Sequence, residues 1–134
     1  MTRKIHMGLT HLFAGLLVVQ FFLAGLGVFT TVHNKQFKDS NFDAHAALGS
    51  LLVLVALLIM VVALAGRWSR RVTQTSALLF GLMIVQMLLA GFGADDAPVL
   101  GGLHVVNALV IVGVTYVLVR ESRAPAPAAE LAPA

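Results

Sequence analysis

Four apolar runs, roughly residues 8–32, 44–66, 75–94 and 98–119, occupy most of this 134-residue chain and leave few folds open to it. At about 1.5 Å per residue, each is long enough as a helix to cross a hydrocarbon layer about 30 Å thick. Inside lipid the backbone has no water to bond, so such a run must satisfy its own amides and carbonyls, as a helix does. With 59% of residues hydrophobic and only 11% charged, too little polar surface remains to solvate a globule of this size. The expected fold is therefore an all-α integral membrane protein, with four transmembrane helices in an up-down-up-down bundle. The first run is longer than the apolar core of a signal peptide and ends in Thr30-Thr31-Val32-His33, so it reads as a retained helix.

The runs are not four independent sequences. Residues 15–27, GLLVVQFFLAGLG, and 81–93, GLMIVQMLLAGFG, share eight of thirteen positions, and every mismatch exchanges one apolar residue for another. Each copy is followed, after a polar break, by a histidine that opens the next run: His45 in the first half and His104 in the second. The chain thus reads as two tandem helical hairpins, about 8–66 and 75–119, forming one transmembrane domain over 1–123.

Charge sets the orientation. Arg3, Lys4, Arg67, Arg70, Arg71, Arg120 and Arg123 all fall on one side of the spans, whereas Lys35 and Lys38 fall on the other, beside Asp39 and Asp43. The excess of Lys and Arg in cytoplasmic segments predicts a multi-pass protein of the cell membrane with both termini in the cytoplasm. The tail at 124–134, APAPAAELAPA, has no periodicity and reads as a disordered cytoplasmic end. The net charge of +3 is accounted for by topology, so the expected partner is the lipid bilayer and not nucleic acid. At the starts of the second and fourth helices, Ser40 and Asp96 are candidate caps, and Pro98 suits a first helical turn.

Helical spacing puts Gln20, Ala24 and Gly27 on one face of the first helix, and Gln86, Ala90 and Gly93 on one face of the third. Small residues and amides of this kind serve helix packing in lipid, or they make room for a flat cofactor whose pocket the amides border. Of the five histidines, His6 and His33 fall at an interface or in a loop, where a solvated imidazole is ordinary. His11 lies on roughly the opposite face from Gln20 and reads as a helix contact or a snorkelling residue. His45 and His104 stand apart. They are equivalent in the repeat, sit near the same outer depth, and each has a small residue four positions on, Gly49 and Ala108. An ionisable residue inside a span is a functional hypothesis by default.

Diagonal helices of a four-helix bundle lie about 11–14 Å apart, which leaves room for two imidazoles with one metal between them. A bare zinc or copper site needs three or four protein ligands, and the chain has no cysteine to add to the two histidines. Haem brings four nitrogens of its own, so one six-coordinate haem b per chain, with His45 and His104 as metal ligands, is the economical occupant. The pattern of Val19-Gln20, Leu23-Ala24-Gly25 and Gly27 followed by His45, repeated with Gln86 and His104, resembles one half of haem A synthase. That resemblance spans about 8–119 and implies that His45 and His104 are an axial pair near the outer membrane face. The same pattern is similar to small four-helix membrane proteins of unassigned function.

Three functions are compatible with these residues. The leading one is a cytochrome b-like module for electron transfer or haem handling, with a redox partner or a larger membrane complex. The second is a haem-modifying enzyme related to haem A synthase. The third is a cofactor-free structural subunit of a membrane complex, in which Gln and His are interhelical contacts.

Overall fold

The computed structural model describes residues 2–95 and 97–123, apart from the side chains of 93–95. They form four helices, α1 (Thr2–Asn34), α2 (Asp43–Ala65), α3 (Arg70–Asp95) and α4 (Pro98–Arg123), with one turn of 3-10 helix at Asp39–Phe42. All four are long and apolar enough to cross a membrane, as the apolar runs required. The helices overrun those runs mainly at the charged ends, where α1 starts at Thr2 and α4 continues to Arg123.

The buried positions explain how the helices meet. Along the seam they fall at His6, Thr10, Phe13 and Leu17 in α1, Leu52, Ala56, Ile59 and Ala63 in α2, Val72, Ser76, Leu79 and Met83 in α3, and Ile111, Thr115, Leu118 and Ser122 in α4, with Val55 buried beside Ala56. Each series alternates steps of three and four, the 3.5-residue period of a seam that keeps facing its neighbours along a left-handed bundle. Every helix packs on the next and α1 closes on α4, whereas among the described residues the diagonal pairs come no closer than 8 Å between Cα atoms and meet only through side chains. The outward faces carry Val18, Phe22, Phe29, Leu54, Leu58 and Val110, all exposed apolar side chains suited to lipid.

The middle of the seam is apolar, with Phe13, Leu52, Ile59, Leu79, Ile111 and Leu118 nearly or wholly buried. Both ends of it are polar. At one end His6 is fully buried, Ser76 Oγ lies 3.2 Å from its Nε2, and its ring packs 4.7 Å from Trp68. The sequence expectation of a solvated His6 is therefore corrected. What covers the imidazole is a turn: Arg67 adopts φ 49, and Trp68 N–H donates to the Ala63 carbonyl, throwing the indole back over the bundle end. Arg3 in turn covers the Trp68 ring, 5.6 Å from its centre. His11 is a helix contact, accepting from Arg123 Nε at 3.1 Å, and Arg71 pairs with Glu121. The starts of α1 and α3 and the ends of α2 and α4 thus gather at this end.

At the other end, Lys35 closes α1 at φ 50 with the same turn, and the chain returns through the 3-10 helix. Phe42, not Ser40, precedes α2, and no side chain caps it. Gly27 is where this return docks: a Cβ there would lie 2.6 Å from the Phe42 ring and 2.9 Å from the Asn41 carbonyl oxygen. Pro98 opens α4 as expected, needing no amide partner there. Asp96 and the tail at 124–134 lie outside the described residues.

Candidate functional site

Continue each buried series toward the loop end by the same spacing and it reaches Gln20 and Ala24, Gly49 and His45, Gln86 and Ala90, and Ala108 and His104. The repeat noticed in the sequence is thus a repeat of seam positions, and the two glutamines and two histidines meet in one layer. The His45 and His104 rings approach edge-on, with centres 6.4 Å apart and planes inclined by 64°.

Each histidine is held by the glutamine of its own hairpin. His45 Nδ1–H donates to the Gln20 carbonyl at 3.2 Å, and His104 Nδ1–H donates to the Gln86 carbonyl at 3.1 Å. A carbonyl can only accept, so each Nδ1 carries the proton and each Nε2 presents a lone pair. These carbonyls are free to accept a second bond, because a helical C=O has two lone pairs and the ladder uses one. The glutamine amides reach the exposed lone pairs, Gln86 Nε2 at 3.1 Å from His104 Nε2 and Gln20 Nε2 at a longer 3.4 Å from His45 Nε2. Asp43 and Asn107, the neighbours in sequence that could have held the Nδ1 protons, do not do so. Asn107 instead donates to Gln86 Oε1 at 2.7 Å and to the Leu82 carbonyl at 3.0 Å.

A cavity of about 940 Å³ surrounds this layer. Its walls include Gln20, His45, Gln86 and His104, with Ala24, Gly49, Ala90 and Ala108 at the seam positions that Leu, Ile or Phe fill deeper in the bundle. The cavity exists because those four side chains are small. Toward solvent it is lined by Phe37, Asp39, Phe42 and Asp43, so its only charged lining among the described residues is acidic. Of the small residues singled out in the sequence, Gly27 does not line it, being taken up by Phe42. Gly93 lies outside the residues whose surroundings are described. No cluster of three or more His, Cys, Asp or Glu side chains suited to a bare metal ion occurs among the described residues.

The glutamine–histidine bonding was not legible beforehand, because the partners are 25 and 18 residues apart and nothing in the spacing pairs an amide with a particular ring. The period of three and four running from His6 to Gln20, and from Ser76 to Gln86, is the signal that could have revealed the buried His6.

The fold and site define a class: a multi-pass, four-helix membrane protein with a duplicated Gln–His unit around an apolar cavity. The chain belongs to a family of unknown function, DUF6220, whose model matches residues 20–96 and so more than half of it. The matched segment begins at Gln20, includes His45 and Gln86, and stops short of His104. No curated protein and no solved structure matches the chain.

Proposed function

We propose that the chain is a membrane-embedded haem b protein, holding one haem between His45 and His104 and serving electron transfer or haem handling. The observation that carries the reading is the close approach of the two imidazoles, one from each hairpin. Two metal–nitrogen bonds of about 2 Å, plus about 1 Å from each nitrogen to its ring centre, put the centres of two axial imidazoles about 6 Å apart. The spacing of 6.4 Å agrees with that. Both rings have the Nδ1 proton fixed by a carbonyl and Nε2 free of hydrogen, the arrangement that ligation by Nε2 requires. The cavity volume lies within the range of about 300–1,000 Å³ common for ligand sites. When bound, haem supplies a one-electron couple, and two histidine ligands leave no open position for oxygen chemistry.

The protein's part is to orient and to exclude water. The Gln20 and Gln86 carbonyls hold the rings, Ala24, Gly49, Ala90 and Ala108 leave space, and the glutamine amides must turn aside to release both Nε2 atoms. The visible spectrum of the purified, haem-supplied protein tests the proposal: sharp low-spin bands on reduction are expected. One observation favours a second reading, a cofactor-free bundle in which the four residues are an interhelical bonding layer. Each Nε2 already has an amide neighbour, so three of the four side chains are satisfied without a ligand. A protein that stays colourless with haem present supports it.

The same proposal includes orientation in the cell membrane, with both termini in the cytoplasm and the His layer near the outer face. The seven-to-two division of Lys and Arg supports it. A reporter fused after Arg123 should read cytoplasmic, and one inserted in the loop at 35–38 should read external. The reverse pattern contradicts the orientation.

A further inference from the structure

The two halves of the site match in sequence position but not in bonding. Gln86 is held at both ends of its amide: Nε2 donates to His104 Nε2 at 3.1 Å, and Oε1 accepts from Asn107 at 2.7 Å. Asn107 is itself anchored on the Leu82 carbonyl. Gln20 has no such brace. The residue three after His45, equivalent to Asn107, is Leu48, and Gln20 Oε1 is buried with no partner. The Gln20 amide nitrogen bonds best to the His45 carbonyl, at 2.9 Å, and only loosely to the ring, at 3.4 Å. It sits in space left by Gly49, where a Cβ would come within 3.1 Å of it.

We infer that the two histidines are unequal ligands, with His45 the standing one, His104 the exchangeable one, and Asn107 the positioning residue that makes the difference. The inference rests on the haem reading of the site. Freeing the His45 lone pair breaks one long contact and disturbs the amide's bond to the His45 carbonyl, but the amide oxygen has no partner to lose. Freeing the His104 lone pair breaks a shorter bond and pulls Gln86 out of a chain running through Asn107 to the α3 backbone. Hydrogen bonds linked in this way strengthen one another. Gln86 therefore competes for His104 in a way that Gln20 cannot for His45, and a small added ligand replaces His104.

Carbon monoxide titrated into the reduced, haem-loaded full chain in detergent tests this by visible spectroscopy. Asn107→Leu, which gives the second half the residue of the first, is expected to weaken carbon monoxide binding about 3- to 10-fold, the factor that one net hydrogen bond is worth. Gln86→Leu removes the competing amide itself and must shift binding in the same direction, whereas Gln20→Leu must shift it less. His104→Ala is expected to keep five-coordinate haem, and His45→Ala to lose haem more readily on dilution. Unchanged or tighter carbon monoxide binding in Asn107→Leu and Gln86→Leu overturns the inequality, as does equal haem retention by the two histidine variants. Failure of the unmodified chain to take up haem contradicts the haem reading itself and is distinguished from these outcomes by the absence of any haem spectrum.

Discussion

Alanine at either His45 or His104 is expected to abolish the low-spin, six-coordinate haem spectrum, because in the proposed site each ring would supply one of the two protein ligands to the iron. The described lining offers Met83 and Met87 as further soft ligands, but both belong to the wall of α3 and neither is equivalent to a histidine of the repeat. Losing an outer partner of a metal ligand already lowers affinity about 10- to 100-fold, so losing the ligand itself should lower it by at least that much. His11→Ala and His33→Ala should leave the spectrum nearly intact, since His11 contacts Arg123 and His33 is exposed. His6→Ala should also keep it, since His6 lies about fourteen residues, hence roughly 21 Å of helix, from Gln20. The last variant separates the two polar ends of the seam: it should lower thermal stability through a void under Trp68 while the haem bands stay in place. Low-spin spectra unaltered in both His45→Ala and His104→Ala contradict the axial assignment.

Ala24→Leu combined with Ala108→Leu should exclude haem while leaving the bundle as stable or more so. Both alanines are half-buried on the cavity wall, at seam positions that larger residues fill elsewhere in the same helices. Each leucine adds three carbons to an apolar space, and burial of each is worth about 0.8 kcal/mol where the space accepts it. The expected result is a haem affinity reduced by more than about 100-fold, with a thermal midpoint in detergent equal to or above that of the unmodified protein, the usual opposition between stability and a vacant site. If instead the double variant unfolds and haem still binds to what remains folded, the cavity is not the haem pocket.

How much of this was readable in advance depends on whether the cause was local. Helix number and length follow from hydropathy along the chain, and α1 through α4 form where the runs lie. His45 and His104 stand out because duplication places them, and the structure brings their ring centres within 6.4 Å of each other. Gln20 and Gln86 could be put on an inward face by spacing, but that they hold the histidines by both carbonyl and amide depends on how neighbouring helices are shifted along their axes. The burial of His6 depends on a turn at Arg67 some sixty residues away, which no local pattern around His6 reveals. Gly27 shares a face with Ala24, which suggests pocket lining. Only the return of the 3-10 helix, which sets Phe42 against it, gives it a different task. Ser40 had the sequence of a cap, yet the chain uses it inside the 3-10 turn.

Titration of haem b into the purified full-length chain tests the central claim most directly. Saturation is expected at about one haem per chain, with a low-spin spectrum in both oxidation states and sharp bands on reduction, as two histidine ligands to one iron require. A chain that remains colourless, or that binds haem only in a high-spin form unaffected by His45→Ala and His104→Ala, contradicts it.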